Sequence, residues 1–444
     1  MGLVIKNGIV LTGEKIISEG VVVVEDDTIV DVGDENLISK YSSYEKLDAK
    51  GCIVMPGMIN THTHAAMSVL RGYAEDLPLH EWLQNKIWPV EAKLTPKDIE
   101  LGATLGAYES LLFGVTTLNS MYFYSKEASE AHAFAKVGIR AVVGHGIFET
   151  TKDTGFKLTE ELTKTWHGYD KGRIRVSVDP HAPYTVGPGT FKESVNLANE
   201  LNEKYHEKGK ILVHTHVAES FQEAESIKKN FNVNFDGGVV NYLNNLGILS
   251  PNLIAAHMVH VSDEEISLLA KNNVKVSLNL VSNLKLGMGV APYLKLRDFG
   301  VVTSLGTDSA ASNNALDILE SAKLLALLYR GLTRKADAVK SYEVFKLMTV
   351  EGAKALCWEN EIGRLEKGYK ADIVVLSLKK VNATPLYDPY AHLIFSAKCN
   401  DVLHVFVNGK QLVQNGSIVG LNYEEFFKEV NKLKDKIISM SSKV

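Results

Sequence analysis

The sequence predicts an α/β fold: a (β/α)8 barrel of the TIM type with a small β-sandwich domain built from both chain ends. Eight short apolar runs alternate with amphipathic stretches of helical length, and β-rich segments flank them on both sides. The chain has 444 residues, enough for one large domain and a smaller one. An open doubly wound sheet is the alternative, but there is no GxGxxG motif, and eight strands fit closure better.

The two ends of the chain are predicted to form the small domain together. "LVIKNGIVLTG" and "GVVVVEDDTIVDVG" near the start carry β-branched runs split by Asn-Gly and Asp-Asp turns. "KADIVVLSL" and "VLHVFVNGKQLVQNGSIVG" near the end have the same pattern. We therefore expect residues 1–55 and 360–444 to form one discontinuous domain, with a solvated, lysine-rich helix at the C-terminus.

Residues 56–359 are predicted to form the barrel. Helical segments at 95–112, 126–137, 188–207 and 314–331 lie among its strands. In such barrels the functional groups project from the C-terminal ends of the strands. The eight candidate strands are "GMINTHTH", "GVTTLNS", "GIRAVVGHG", "RIRVSVDPH", "KILVHTH", "LIAAHMVH", "VKVSLNL" and "VVTSLGTD".

Composition excludes several classes of function. Hydrophobic residues make up 45% and charged residues 23%, and a net charge of -5 spread along the chain does not suit nucleic-acid binding. We find no signal-peptide pattern, no apolar run long enough to span a bilayer and, with Lys6 in place of Ser or Thr, no myristoylation motif. The three cysteines are odd in number and far apart, which favours a reducing compartment. We expect a cytoplasmic homo-oligomer that binds neither nucleic acid nor membrane.

Histidines and carboxylates gather at the predicted strand ends. In "PGMINTHTHAAMSVLRG" the two histidines are two residues apart, so both imidazoles leave one face of the strand. Singly, each such residue has an ordinary reading, such as a core histidine bonded to the backbone or a helix N-cap. Together they indicate a metal site. The residues are His62 and His64 on strand one, His181 on strand four, His214, His216 and Glu219 on strand five, His257 and His260 on strand six, and Asp308 on strand eight.

Imidazole nitrogens and a carboxylate suit zinc, and also ferrous iron or another first-row ion. We expect one divalent ion per chain, with Zn²⁺ favoured, held by His62, His64, His216 and Asp308. A dinuclear barrel site usually needs a bridging ligand, often a carboxylated lysine near the end of strand four. That strand ends in "SVDPHAPY" and has no lysine there.

These residues suggest a hydrolase acting on a polarised carbon. A bound metal ion lowers the pKa of its water towards neutrality. Asp308 is the candidate acceptor of the proton of that water, and His257 is the candidate for orienting the nucleophile by a hydrogen bond. Glu219, three residues after His216, is the candidate proton shuttle, first as acid and then as base. The residues alone do not name the leaving group.

Over nearly the whole chain, "PGMINTHTH", "HTHVAES", "AAHMVH" and "LGTDSAASNN" resemble the amidohydrolase superfamily. More narrowly, "MSVLRGYAEDLPLHEWLQNKIWPVEAKL", "SNLKLGMG" and "DSAASNN" are similar to the methylthioadenosine/S-adenosylhomocysteine deaminases. The resemblance implies hydrolytic deamination of an adenosine-type nucleoside (5′-methylthioadenosine, 5′-deoxyadenosine, adenosine or S-adenosylhomocysteine) to the inosine-type product and ammonia. The alternatives are a guanine, pterin or triazine aminohydrolase or chlorohydrolase, and a non-catalytic relative that has lost its ligands.

The resemblance also implies substrate contacts. It assigns Glu91 to the ribose hydroxyls, Trp82 to packing against the nucleoside and His181 to a purine ring nitrogen, with Ser312 at the substrate edge. A helix that merely buries its aromatic residues is the alternative for the segment containing Trp82 and Glu91. His214 is not the metal ligand of its strand in the family, and we expect it outside the ligand set.

The chain departs from the family pattern at two places. After strand seven, relatives often have His-Asn-Pro-x-Ser-Asn, whereas here "SLNLVSN" has Leu278 and Leu280 in place of the histidine and proline. In the segment matching "VVGHGIFE", members that handle S-adenosylhomocysteine carry an arginine, and this chain has His145. We expect His145 at the 5′ side of the substrate and weaker use of S-adenosylhomocysteine.

Overall fold

The computed structural model describes residues 2–122 and 126–441. Its strands are β1 (Gly2–Leu11), β2 (Ile16–Glu25), β3 (Thr28–Gly33), β4 (Glu45–Asp48), β5 (Cys52–Pro56), β6 (Met58–Thr63), β7 (Val115–Tyr122), β8 (Arg140–Ile147), β9 (Ile174–Pro180), β10 (Val213–Val217), β11 (Leu253–His257), β12 (Lys275–Leu278), β13 (Thr303–Leu305), β14 (Ile373–Ser377), β15 (Val402–Val407), β16 (Lys410–Gln414) and β17 (Ser417–Ile418).

Most helices lie between the strands β6 and β14. They are α1 (Asn36–Lys40), α2 (Leu79–Trp82), α3 (Trp88–Glu91), α4 (Pro96–Leu112), α5 (Ser129–Val137), α6 (Lys152–Trp166), α7 (Tyr169–Gly172), α8 (Pro188–Tyr205), α9 (Glu223–Phe231), α10 (Val239–Asn245), α11 (Asp263–Lys271), α12 (Leu280–Lys285), α13 (Tyr293–Asp298), α14 (Ala310–Asn313), α15 (Ile318–Thr333), α16 (Ser341–Met348), α17 (Val350–Ala355), α18 (Pro389–Phe395) and α19 (Tyr423–Ser441). A π-helical turn, Leu83–Ile87, joins α2 to α3.

Strands β6 to β13 form the barrel. They lie side by side in chain order, and every neighbouring pair is parallel. The last strand returns to the first, because the backbone N–H groups of Thr307 and Asp308 donate to the carbonyl oxygen of His62 at 3.1 and 3.0 Å. The prediction of an eight-stranded parallel barrel is confirmed.

Local sequence signals explain where the outer helices begin. Before α4, Thr95 and Asp98 form a reciprocal capping box, and Pro96 occupies the first helical turn. Before α11, Ser262 and Glu265 form a second capping box. The barrel strands, in contrast, are buried along their whole length, as expected for strands with helices outside and side chains packed inside.

One end of the barrel interior is filled by apolar side chains. Inward-facing residues of three strands, among them Ile59 and Val142, pack against Trp358, which follows α17. Two buried guanidinium groups, of Arg140 and Arg175, lie over the indole ring of Trp358 at 5.1 and 4.1 Å. The interior is therefore closed at the N-terminal ends of the strands, and the opposite mouth is left for a functional site.

The remaining strands come from both chain ends and form one mixed sheet. Its order is β17-β16-β15-β14-β5-β1-β2-β3, with β4 paired to β1. β5 joins the two ends, since it pairs parallel with β1 and antiparallel with β14. All nine strands belong to one hydrogen-bonded sheet. The exact residue boundaries of the small domain stay a prediction.

The C-terminal helix α19 is amphipathic. Its outer face is solvated, as expected, but Phe426, Leu433 and Ile437 are buried, and the helix contacts α3 and α4 of the barrel layer. Within the described ranges no helix is long and apolar enough to cross a membrane. The three cysteines are free thiols.

Candidate metal centre and active site

Four buried side chains converge at the open mouth of the barrel. His62 and His64 come from the end of β6, His216 from β10, and Asp308 follows β13. Oδ1 of Asp308 lies 3.6 Å from His62 Nε2 and 3.3 Å from His64 Nε2, and the Nε2 atoms of His64 and His216 are 3.2 Å apart. His257 borders the same centre, within 4.8 Å of ligand atoms of His62 and Asp308.

The three imidazoles are oriented for metal binding. His64 and His216 donate through Nδ1–H to backbone carbonyl oxygens at 2.6 and 2.7 Å, and Nδ1 of His62 is hydrogen-bonded to His214 at 2.8 Å. Their Nε2 atoms therefore face one another, and that of His62 has no hydrogen-bond partner among the described residues. Lone pairs aimed at one point repel unless a cation lies between them. Three imidazoles and one carboxylate fit a single tetrahedral or five-coordinate ion such as zinc.

The pKa shifts of the residues at this centre also favour the binding of a cation. Burial works to raise the pKa of Asp308, but hydrogen bonds and charge from His62 and His64 hold it well below its usual value. Burial lowers the pKa of His62 and of His216 well below the ordinary value, whereas for His64 burial is outweighed by the hydrogen bond and charge of Asp308, which raise the pKa. A carboxylate and neutral imidazoles are the forms that bind metal ions.

Two serines hold the second oxygen of Asp308. Ser282 and Ser312 donate to its Oδ2 at 2.5 and 3.1 Å, which leaves Oδ1 for the centre. Ser312 was expected at the substrate edge, but it is 1% exposed and lies behind Asp308, since α14 turns back immediately after β13. The strand ends themselves are sharply bent: φ is 80° at His257 and 62° at Asp308, a region that residues other than glycine rarely adopt.

Glu219 and His257 form the acid–base side of the site. Oε1 of Glu219 lies 3.7 Å from Nε2 of His257, whose Nδ1 is 2.8 Å from the amide oxygen of Asn283. Burial raises the pKa of Glu219, while the charge of His257 acts against the shift. Glu223 accepts the backbone N–H of Glu219 at 2.8 Å and so fixes the loop that carries it. A buried carboxyl with a raised pKa suits proton donation followed by proton acceptance.

A pocket of about 30 Å³ opens in front of the metal centre. Trp82 lines it, with its indole N–H donated to a backbone carbonyl at 3.2 Å. His181 lines it too, stacked on Phe148 with ring centroids 4.6 Å apart. Burial, and then the charges of neighbouring histidines, lower the pKa of His181 to about 3, so this imidazole is neutral. The lining residues are His64, Met67, Leu79, Trp82, Leu83, His181, Tyr184, His216, Glu219, His257, Leu286 and Asp308.

Five of these lining residues were missed in the sequence. Met67, Leu79, Leu83, Tyr184 and Leu286 carry no chemistry that singles them out, although each lies in or beside a quoted motif. Their position in or beside those motifs is the signal from which they could have been found. An apolar side chain next to a functional residue in sequence is more often part of the core, and only the folded arrangement distinguishes the two.

Glu91 is fully buried on α3, next to the pocket but outside its open space. Burial raises its pKa to about 7, while the Tyr122 hydroxyl and the charge of His64 act against the shift. The π-helical turn that precedes α3 is a rare form, found often at functional sites. The structure therefore brings Glu91 and Trp82 to the metal centre on a single segment.

His145 does not lie with the other predicted site residues. Side chains alternate along β8, and Gly144 takes the inward position against the Asp179 carboxylate. His145 consequently points outward, between α5 and α6, where it lines a separate groove of about 240 Å³ with His132 and Trp166. The expected contact of His145 with the 5′ side of the substrate is corrected: its imidazole faces the helical layer.

The departures from the family pattern leave the polar contacts of the site in place. Leu278 and Leu280 are fully buried in the main apolar core. Ser282 and Asn283, which follow them, supply the hydrogen bonds to Asp308 and His257. The chain thus keeps these two hydrogen bonds without the usual histidine and proline.

Residues 53–412 match the profile described as the amidohydrolase family. The chain belongs to this family. It is 37% identical over 444 residues to the 5′-deoxyadenosine deaminase of Methanosarcina barkeri, covering 98% of each chain. It is 39% identical to the 5-methylthioadenosine/S-adenosylhomocysteine deaminase of Caldanaerobacter subterraneus subsp. tengcongensis, covering 99% of each. The resemblance seen in the sequence is confirmed.

Solved amidohydrolase structures share the whole architecture. An adenosine deaminase from Xanthomonas campestris, crystallised with bound zinc, is 30% identical to this amidohydrolase, with a TM-score of 0.90 and 98% of each chain covered. An atrazine chlorohydrolase from Arthrobacter aurescens complexed with zinc has a TM-score of 0.88 at 23% identity, covering 97% of this chain and 100% of its own. At 23% identity, the similarity to the chlorohydrolase concerns the fold alone.

Proposed function

We propose that this amidohydrolase removes the 6-amino group of an adenosine-type nucleoside, with release of ammonia and an inosine-type product. One observation carries the proposal: a complete set of metal ligands faces Glu219, His257 and His181 in a single buried pocket. The deaminases named above, which match the chain from end to end, support the nucleoside class.

We assign His62, His64, His216 and Asp308 to one Zn²⁺ ion, in agreement with their donor atoms and with the zinc-bound relative. The ion supplies Lewis-acid activation of water. A water molecule adds to C6 of the purine, and Asp308 takes its proton. His257 orients the attacking oxygen through the lone pair of Nε2, since its Nδ1 is bonded to Asn283.

Glu219 moves the remaining protons. As a carboxylic acid it protonates the ring nitrogen next to C6. As a carboxylate it then accepts the proton of the new C6 hydroxyl and passes it to the amino nitrogen, and the proton held by Asp308 afterwards returns Glu219 to its acid form. The C6–N bond breaks, ammonia leaves and the carbonyl of the product forms. The imidazole of His181 is neutral, and its Nδ1 lies 2.7 Å from the Thr185 hydroxyl. In the tautomer in which Nδ1 accepts that hydroxyl hydrogen, Nε2–H donates to a second ring nitrogen of the purine.

The segment from α2 to α3 is proposed to hold the nucleoside. Glu91 accepts the ribose hydroxyls, and Trp82 packs against the nucleoside, as in the family. The open volume of about 30 Å³ is far below the roughly 300 Å³ of even a small ligand pocket, so side chains that line the pocket have to move when a nucleoside enters.

A substrate screen tests the proposal. Ammonia release is followed with adenosine, 5′-deoxyadenosine, methylthioadenosine, S-adenosylhomocysteine and guanine, using the zinc-loaded enzyme. We expect turnover of the nucleosides and none of guanine, because a free base has no ribose diol for Glu91. Turnover of guanine alone would replace the nucleoside assignment with another aminohydrolase activity. No turnover of any compound by a metal-loaded chain would favour a non-catalytic relative.

We also propose that the protein is a cytoplasmic homo-oligomer. Its three free cysteines agree with a reducing compartment. Sedimentation equilibrium on the zinc-loaded protein measures the number of chains directly, and a monomer at micromolar concentration would contradict the expected oligomer.

A further inference from the structure

Two buried polar side chains lie behind His62, on the side away from the pocket. Nδ1 of His62 is 2.8 Å from Nε2 of His214, and Nδ1 of His214 lies 3.8 Å from Oδ2 of Asp179. The relative exposure of all three residues is 0%. Neither His214 nor Asp179 lines the pocket or takes part in the steps above.

The position of His214 follows from the strand. His214 and His216 are two residues apart in β10, so both side chains face the barrel interior, one layer above the other. His216 reaches the metal centre at the mouth, and His214 meets His62 in the layer beneath. The "HTH" stretch of β10 therefore serves two layers of the same site.

The barrel leaves space for Asp179 at this depth. A Cβ atom added to Gly144 on the neighbouring strand would lie only 1.9 Å from Oδ2 of Asp179 and 2.1 Å from its Cγ. Any other residue at 144 would therefore displace the carboxylate. Within the described parts of the chain, neither carboxylate oxygen of Asp179 nor Nδ1 of His214 has a hydrogen-bond partner, so the two groups interact with each other by charge.

Metal binding determines which nitrogen of each ring carries hydrogen. If His62 binds the ion through Nε2, its Nδ1 carries a hydrogen and donates it to Nε2 of His214. His214 then has to carry its own hydrogen on Nδ1, the atom that faces Asp179. The carboxylate attracts this N–H dipole and favours the one tautomer of His214 that can accept from His62.

We propose that Asp179 and His214 are positioning residues that hold His62 in its metal-binding tautomer and aim its Nε2 at the ion. The inference rests on the metal site of the proposed function, but not on its substrate. Groups that hold metal-bound histidines in this way typically change metal affinity ten- to a hundredfold when they are removed.

Metal affinity of three variants tests the proposal. His214→Leu fills similar space but cannot accept a hydrogen bond, and we expect it to bind Zn²⁺ ten- to a hundredfold more weakly in competition with a chromophoric chelator. His214→Gln keeps an amide oxygen for the Nδ1–H of His62 and should restore affinity to within a few-fold of wild type. Asp179→Asn should show a smaller loss in the same direction as His214→Leu.

A spectroscopic readout and a matched control separate positioning from packing. The visible spectrum of the Co²⁺-substituted protein reports ligand geometry, and it should change in His214→Leu and be restored in His214→Gln.

Ser304→Ala is the control, because Ser304 is a buried polar residue of the barrel interior that bonds Thr61 and a backbone carbonyl and contacts no metal ligand. It should change thermal stability alone.

Wild-type affinity and an unchanged Co²⁺ spectrum in His214→Leu would overturn the proposal. Equal losses in His214→Leu and His214→Gln would also overturn it, because they would show that only the shape of the imidazole matters. Since metal binding is the quantity measured, these outcomes remain separate from a failure of the substrate assignment, which appears only in the ammonia-release screen.

Discussion

Ser282 donates a 2.5 Å hydrogen bond to Oδ2 of Asp308 and thereby turns Oδ1 of the same carboxylate towards His62 and His64. The bond joins α12, which follows β12, to the segment after β13. It also explains how the site tolerates the loss of the usual histidine and proline after β12, because the serine that follows them still fixes the carboxylate. Each of the four proposed metal ligands is thus held from behind by a short hydrogen bond.

The metal content of the active protein should be one ion per chain. The described residues bring three imidazoles and one carboxylate to one point, and strand four ends in Asp179-Pro180-His181 without a lysine to bridge a second ion. Elemental analysis of purified, active protein measures the ratio. Two ions per active chain would contradict the mononuclear assignment.

Glu219→Gln should keep the metal and lose activity. The variant cannot transfer a proton, so we expect a loss of at least about 3 kcal/mol of transition-state stabilisation, more than a hundredfold in kcat/KM. Glu225→Gln, a change at an exposed carboxylate of α9, is the matched control and should leave both quantities unchanged. If Glu219→Gln instead loses its metal, Glu219 is a ligand and the proposed proton shuttle is wrong.

S-adenosylhomocysteine should be a poorer substrate than adenosine, 5′-deoxyadenosine or methylthioadenosine. Its carboxylate tail needs a cation, best a forked guanidinium, but no lysine or arginine lines the pocket within the described residues. Lys157 is 75% exposed and pairs with Glu161 on the outer helix α6. A charge-assisted hydrogen bond contributes roughly 1.5 to 3 kcal/mol, so its absence should lower catalytic efficiency about ten- to a hundredfold.

Values of kcat/KM for the four nucleosides, at one pH and with one metal, decide this prediction. Adenosine is the matched control, because it shares the ribose contact with Glu91 and lacks the charged tail. If S-adenosylhomocysteine has the highest value, a basic group outside the lining residues binds its tail.

In Glu130→Gln, the free energy of unfolding should fall less steeply with rising pH than it does in wild type. Burial raises the pKa of Glu130 from the ordinary 4.5 to about 7, against the hydrogen bonds from Ser120 and Ala66. Between these values the folded state holds a proton that the unfolded chain has lost. The contribution of Glu130 is therefore complete below pH 4.5 and disappears as the pH rises through 7, a change of about 3 kcal/mol.

Urea unfolding of wild type and Glu130→Gln at matched metal loading, from pH 4.5 to 8, measures the effect as a difference between the two proteins. Glutamine keeps an oxygen for the bonds that Oε1 of Glu130 now accepts. Glu160→Gln, at an exposed position of α6, is the control, and its free energy of unfolding should change with pH in parallel with that of wild type. A Glu130→Gln curve that is also parallel to wild type would show that this carboxyl does not titrate differently in the folded protein.

The sequence by itself determined the number of barrel strands and the small sheet built from both chain ends. It also predicted the set of candidate metal ligands that the structure brings together. These features depend on local periodicity and on residue types placed at strand ends, both of which are visible along the chain. His62, His64, His216 and Asp308 were predicted as one set because parallel strands bring their C-terminal ends to one mouth.

Only the tertiary structure decided where the remaining polar side chains point. His145 faces the helices because the register of β8 places Gly144 inward, and Ser312 bonds Asp308 because α14 turns back beneath it. The contact between His62 and His214 spans 152 residues of chain. Such contacts depend on strand register and on partners distant in sequence, which residue spacing within one segment does not encode.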